Sequence, residues 1–362
     1  MYRRLTRAIP VGNRTIGGDA PITIQSMTNC PAADFAGTAA QIRALEKAGC
    51  DIVRMAVPRE EDAQIFRYVK EAGITLPLVA DIHFDYKIAL ASLRCGADKI
   101  RINPGNIGAP WKVEQVARAC KTAGIPIRIG VNSGSLDKKL LEKYGAPTAE
   151  ALAESALTQA ESLEKYGFSD IVLSIKSSSV HKMITACRIV ARESEYPLHL
   201  GVTEAGDAYS GLVKNAIGIG SLLTEGIGDT IRVSLTADVR EEVRAAREIL
   251  QSLGLYEKGG IDVISCPTCG RTAIGLIALH DACKKRLSAI DTHGKTLHVA
   301  IMGCVVNGPG EAREADFGIA GGDGCGIVFR HGEIVCKVPE ERLIDTLTAM
   351  IEEEIAKDNR NE

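Results

Sequence analysis

The sequence predicts an α/β protein built as an N-terminal TIM (β/α)8 barrel with a smaller C-terminal α+β domain. Three observations carry the prediction. Short apolar runs alternate with helical patterns eight times within about 250 residues, the size and rhythm of a closed barrel. The G-x-G-x-x-G turn that would mark a doubly wound open sheet is missing after the first strand. Residues 254–263 then read as a connector, after which the rhythm changes.

The elements follow in order. RAIPVGNRTIGG reads as a short hairpin. The eight strand runs are ITIQSM (22–27), DIVRMAV (51–57), PLVADIH (77–83), DKIRIN (98–103), PIRIGV (126–131), DIVLSI (170–175), LHLGVT (198–203) and DTIRVS (229–234). Between them lie helical stretches such as AAQIRALEKAG (39–49), EDAQIFRYVKEAG (61–73) and AEALAESALTQAESLEKYG (149–167). The remainder reads helix, strand, short helix, a hairpin (IVFRHGEIVCKV) and a closing helix, enough for a second core. The expected division is a barrel over 1–255 and a second domain over 256–362.

Composition excludes several classes. With 43 basic and 46 acidic residues the formal net charge is -3, and no basic stripe points to nucleic acid. The start MYRRLTRAIPVGN has no apolar segment behind its arginines, and no stretch reaches membrane-spanning length. Eleven cysteines without framework spacing fit reduced thiols in the cytoplasm.

In such barrels chemistry sits at the C-terminal ends of the strands. Those positions carry Arg54, Asp81, His83, Arg101, Asn103, Arg128, Asn132, Lys176, Glu204 and Arg232. Four arginines and a lysine converge there, and two acids cannot neutralise them. Guanidinium forks grip phosphate oxygens bidentately, so a substrate with two or more phosphate charges is the economical reading. The small-residue runs NPGNIG (103–108) and NSGSL (132–136) expose backbone N–H groups suited to anions. A single arginine at a strand end can equally be a structural ion pair, and His83 a structural histidine. Glu204, among cations and small residues, suits acid–base work.

The second domain carries Cys266-Pro-Thr-Cys269, then Cys304 after the strand-like run HVAIMG (298–303), then Glu311 in CVVNGPGE. Closed zinc sites take four Cys or His ligands, whereas three thiolates and a carboxylate suit an iron–sulfur cluster with one iron held differently. Structural zinc and a redox dithiol remain alternatives for the CxxC pair, and Glu311 can be read as a helix-terminal acid. Cys325 is the rival fourth ligand. The apolar spacing of GRTAIGLIALHDACKKRL predicts a helix directly behind the pair, placing both thiols at its N-terminus. Cys50, Cys95, Cys120 and Cys187 read as small hydrophobes.

Taken together, QSMTN (25–29), VRMAVP (53–58), ADIHF (80–84), RINPGN (101–106), IRIGVNSGSL (127–136), GVTEAG (201–206), CPTCGR and VNGPGE (306–311) resemble the bacterial 4-hydroxy-3-methylbut-2-enyl diphosphate synthases of the non-mevalonate isoprenoid pathway. The likeness covers nearly the whole chain in the short, two-domain form. It implies a barrel that binds 2-C-methyl-D-erythritol 2,4-cyclodiphosphate and a C-terminal domain holding one 4Fe–4S cluster. The implied cluster ligands are Cys266, Cys269, Cys304 and Glu311. The implied substrate residues are Arg54, His83, Arg101, Arg128, Asn132, Lys176, Glu204 and Arg232. Reductive ring opening with loss of water, electrons from flavodoxin or ferredoxin, and a head-to-tail homodimer complete the expectation. Two rivals stay open: a phosphate- or pterin-binding barrel transferase with structural zinc, and an iron–sulfur sensor or electron carrier.

Overall fold

The computed structural model describes residues 2–256, 259–305 and 312–361, so Glu311 and the rest of VNGPGE lie outside the described residues. The chain divides into two compact units, Met1–Tyr256 and Glu257–Glu362.

The first unit opens with a hairpin, β1 (Ile9–Val11) and β2 (Arg14–Ile16), turning at Gly12 with φ +55°, a conformation glycine adopts without strain. Eight parallel strands follow: β3 (Thr23–Met27), β4 (Ile52–Ala56), β5 (Leu78–Asp81), β6 (Lys99–Ile102), β7 (Ile127–Asn132), β8 (Ile171–Lys176), β9 (His199–Leu200) and β10 (Thr230–Ile231). Their order is β8-β7-β6-β5-β4-β3-β10-β9. A parallel bridge between Leu173 and Leu198 joins the two ends and closes the ring. The outward side chains of each strand and the inner faces of the surrounding helices form one large apolar core, with Ile42, Phe66, Ile100, Ile129 and Leu173 fully buried in it. The hairpin closes the bottom: Ile9, Val11 and Ile16 pack on the inward residues Ile52, Val79 and Val172.

Two expected strands are shorter than their apolar runs. Only His199–Leu200 and Thr230–Ile231 keep regular pairing. The two chains come too close just beyond: a Cβ on Gly201 would lie 2.4 Å from the Arg232 carbonyl oxygen. Regular pleating stops there and the chain bends into the loop that carries Thr203 and Glu204.

The second unit is a five-stranded mixed sheet of β11 (Gly260–Ser265), β12 (Thr296–Met302), β13 (Phe317–Gly321), β14 (Cys325–Arg330) and β15 (Glu333–Pro339) in sequence order. The first three strands are parallel and the rest antiparallel. Helices Leu276–Leu287 and Leu343–Asn361 cover one face, burying Leu279, Cys283, Leu287, Leu343, Leu347 and Ile351 against Val299, Ile319 and Val328. The stretch read as a connector is in part strand, since β11 begins at Gly260 and pairs with β12 throughout. The helix expected behind the CxxC pair begins only at Leu276, capped by Gly275. Gly270 and Gly275 lower helix propensity on this stretch, and a turn closed by Thr272 N to Cys269 O (3.0 Å) takes its place. No helix among the described residues is long and apolar enough to cross a membrane.

Candidate functional site

One polar cavity of about 130 Å³ opens at the C-terminal ends of the barrel strands. Arg54, Asp81, His83, Arg101, Arg128, Asn132, Ser174, Lys176, Thr203 and Arg232 line it, so residues far apart in sequence meet there because strand ends meet there. Alternation along each strand aims them inward: Arg101 on β6 and Asp81 on β5 are register partners, as are Arg101 and Arg128 across β6 and β7. Gly130 makes room, since a Cβ there would lie 2.6 Å from Arg101 Nε.

Asp81 is the internal counter-ion. Arg101 Nη1 donates to its Oδ1 at 3.0 Å, while Arg54 Nε and His83 Nε2 each lie 3.7 Å from Oδ2. Burial pushes this carboxyl up, but Arg54, Arg101 and Arg128 outweigh that and bring it down to about 2. Arg54 also points Nε and Nη2 at Met27 Sδ, at 3.2 and 2.9 Å. Burial, with Arg232 and Arg101 adding to it against the pull of Asp81, lowers Arg54 to about 10. Burial first, then Arg54 and Arg101, drives Arg128 well below its ordinary value; burial and then Arg232 do the same to Lys176. A guanidinium does not shed its proton in a protein, so Arg128 bears that penalty as a buried cation whose Nε and Nη1 have no hydrogen-bond partner among the described residues.

Sequence reasoning missed Glu242. It lies in the first turn of helix Val239–Ser252, where an acid reads as complementing the helix dipole. In the fold it is buried, accepts from Leu235 N (3.0 Å) and Ser26 Oγ (3.2 Å), and sits 3.6 Å from Arg232 Nη2. Five cations therefore face two carboxylates, and the deficit of negative charge remains.

Two expected residues stand differently. His83 lines the cavity with its side chain 55% exposed. Glu204 is exposed in the loop after β9, next to the lining Thr203 but outside the lining set, with φ at +52°. A non-glycine residue held there stores about 1–3 kcal/mol, a cost that clusters at functional sites.

The thiols gather at one end of the second sheet. Cys266 follows β11 and Cys304 follows β12, and these strands are parallel neighbours with Ser265 opposite Ile301. Gly303 N donates to Cys266 Sγ at 3.3 Å, and Cys269 N donates to Thr272 Oγ1 at 3.1 Å. The Cys269 thiol is lowered first by a hydrogen bond from the backbone N–H of Arg271, with Thr272 and the Arg271 charge adding to it. A local turn, rather than a helix dipole, supports the thiolate. Cys325 opens β14 at this same end of the sheet. Among the described residues no three Cys, His, Asp or Glu side chains form a ready metal shell. By contrast Cys120 and Cys187 are pushed up to about 12 by burial, as inert core thiols should be.

Fold and mouth together define a TIM-barrel protein with a cationic cavity at its strand ends, on a chain that adds a thiol-bearing α+β unit. The GcpE TIM-barrel domain matches residues 6–247 and the GcpE protein C-terminal domain matches residues 262–353. The chain belongs to the GcpE family. It is 55% identical to the 4-hydroxy-3-methylbut-2-en-1-yl diphosphate synthase (flavodoxin) of Symbiobacterium thermophilum, over 98% of this chain and 95% of that one. The protein of the same name from Clostridium perfringens is 56% identical, over 97% and 99%. Among solved structures the barrel is similar to dihydropteroate synthase from Stenotrophomonas maltophilia, at 14% identity and TM-score 0.51 over 69% of this chain and 98% of that one. It is equally similar to type I 3-dehydroquinate dehydratase from Clostridium difficile, at 11% identity and TM-score 0.51 over 68% and 98%. At such identity the likeness is one of fold alone.

Proposed function

We infer that the chain opens the ring of 2-C-methyl-D-erythritol 2,4-cyclodiphosphate reductively and dehydrates it to (E)-4-hydroxy-3-methylbut-2-enyl diphosphate, in the non-mevalonate isoprenoid pathway. It is an oxidoreductase: two electrons and protons enter, and one substrate oxygen leaves as water. The observation that carries the site reading is the cavity whose five cations face two carboxylates already engaged with arginines. Each phosphorus of the cyclic substrate keeps one strongly acidic oxygen, so the ligand is a dianion that such a mouth suits.

Arg54, Arg101, Arg128, Arg232 and Lys176 bind the diphosphate; His83 and Asn132 orient it by hydrogen bonds. Buried guanidiniums need no reorganisation when the anion arrives, which is how a preformed field lowers a barrier. Glu204 holds a proton for the leaving oxygen, on a strained loop beside the mouth. Cys266, Cys269, Cys304 and Glu311 hold one 4Fe–4S cluster per chain. Three thiols at one sheet end, with a backbone N–H already aimed at Cys266, fit that group better than a closed zinc shell. When bound, the cluster supplies electrons singly and a Lewis-acidic iron. Glu311, a harder ligand than thiolate, can leave without dismantling the shell.

Flavodoxin is the electron donor, by the names its relatives carry. The assembly is a head-to-tail homodimer. Helix Val239–Ser252 ends at the barrel's bottom, where the Tyr256 hydroxyl lies against Gly49, so each chain leaves its barrel at the end away from its own mouth. Mixing Arg101→Ala with Cys304→Ser subunits should restore activity; a demonstrated heterodimer without activity would overturn shared sites.

The decisive test is anaerobic purification with metal and sulfide analysis, followed by turnover of the cyclic diphosphate with reduced flavodoxin. About four irons and four sulfides per chain are expected. Zinc without sulfide would favour the transferase.

A further inference from the structure

The middle of the barrel holds polar groups that the diphosphate reading leaves unused. Barrel interiors of this kind are usually filled by branched aliphatics. Here an aliphatic floor of Ile52, Val79 and Val172 gives way, beneath the mouth's Arg128, to Thr23, Gln25, Lys99, His199 and Thr230, all at most 5% exposed. Lys99 stands two residues before the inward Arg101 on β6, so alternation aims it into the barrel as well. Thr230 is the register partner of both Thr23 and His199. His199 Nδ1 lies 3.4 Å from Thr230 Oγ1. Among the described residues Lys99 Nζ, His199 Nε2, Thr23 Oγ1, both Gln25 amide atoms, and Nε and Nη1 of Arg128 have no partner.

Lys99 Nζ has no hydrogen-bond partner among the described residues, and the charged groups around it are mostly cations. Arg101 shares its strand, Arg128 comes from β7, Arg54 from β4, Lys176 from β8 and His199 from β9. The carboxylates are engaged elsewhere: Asp81 with Arg101, Glu242 with Arg232 and Ser26. Asp98, next in sequence, bonds Lys70 and Leu78 N instead. Burial first, then Arg128 and Arg54, drives Lys99 well below its ordinary value, which favours the neutral amine. A dianion bound over Arg54 and Arg128 offsets the surplus positive charge that keeps the proton away.

We propose that Lys99 is a further diphosphate-recognition residue, a buried amine that takes up a proton as the diphosphate binds and completes the cationic cradle from below. This rests on the diphosphate reading of the mouth. The cyclic ligand has no ionisation near neutral pH, so any proton taken up belongs to the protein.

The experiment is calorimetric titration of the iron-loaded enzyme with the cyclic diphosphate, without reductant, in buffers of different ionisation heat. Uptake of about one proton per site is expected, with affinity falling by up to tenfold per pH unit above neutrality. Lys99→Met keeps the side chain's volume and should lose that proton while still binding, about tenfold more weakly. Lys176 and His199 are buried bases pushed the same way, so the difference between the unaltered enzyme and Lys99→Met isolates Lys99, and His199→Gln should keep the uptake. Binding without uptake in the unaltered enzyme, or undiminished uptake in Lys99→Met, would overturn the proposal. If Lys99→Met fails to fold, Lys99→Leu takes its place in the subtraction, and an affinity of the unaltered enzyme that does not vary with pH would overturn the proposal by itself. Failure of the unaltered enzyme to bind the ligand at all would overturn the diphosphate reading itself, a distinct outcome.

Discussion

The barrel mouth and the thiol end of the second sheet are both loop-rich strand ends, yet they are built differently. At the mouth, Arg54, Arg101 and Arg128 are buried, sit on paired strands, and are balanced in part by Asp81. At the thiol end Cys269 is exposed, Cys266 and Cys304 are half-buried, and two backbone N–H groups and one threonine support them. The mouth takes its order from the fold, whereas the thiol end has donors waiting for something to bind them together. Holding the substrate and delivering electrons should therefore fail independently.

The largest effect should come from Cys304→Ser. Turnover and most of the bound iron should vanish, while diphosphate affinity by calorimetry stays within about twofold, as expected for sites that are not energetically coupled. A large loss of affinity would break the contrast. Arg101→Ala should do the reverse, weakening diphosphate binding about tenfold to a hundredfold through loss of a charge-assisted contact worth about 1.5–3 kcal/mol, with iron content unchanged.

Acid sharpens the contrast next. Asp81 in the folded barrel titrates near 2, below its ordinary 3.8, so its contribution is present above about pH 4 and is lost as pH falls toward 2. The contribution is on the order of 2 kcal/mol. Thermal unfolding of Asp81→Asn between pH 6 and 3 should start lower and vary less with pH than that of the unaltered protein. The smallest effect belongs to Cys325→Ser, which should keep iron and most activity. Loss of iron there would make Cys325, rather than Glu311, the fourth ligand.

The barrel was legible because its buried parallel strands read as eight apolar runs, and the mouth because strand ends converge once a barrel is assumed. Thus Arg54, Arg101, Arg128, Lys176 and Arg232 meet in one cavity. What stayed hidden depends on tertiary packing. Glu242 looks like any acid at a helix start until Arg232 and Ser26 reach it. Met27 as a sulfur acceptor for Arg54 leaves no trace in composition. Lys99 was within reach: a lysine two residues before an inward arginine must also point inward. The misplaced helix behind Cys269 shows apolar spacing overruled by two glycines and a local turn.

The hairpin at the base has a kinetic consequence. Ile9, Val11 and Ile16 pack against Ile52, Val79 and Val172, so among the described residues the barrel is closed at its base and open at its mouth. Product must depart through the opening by which the next substrate arrives. The allylic diphosphate keeps its diphosphate charge and should compete for the same arginines, so progress curves should slow as it accumulates.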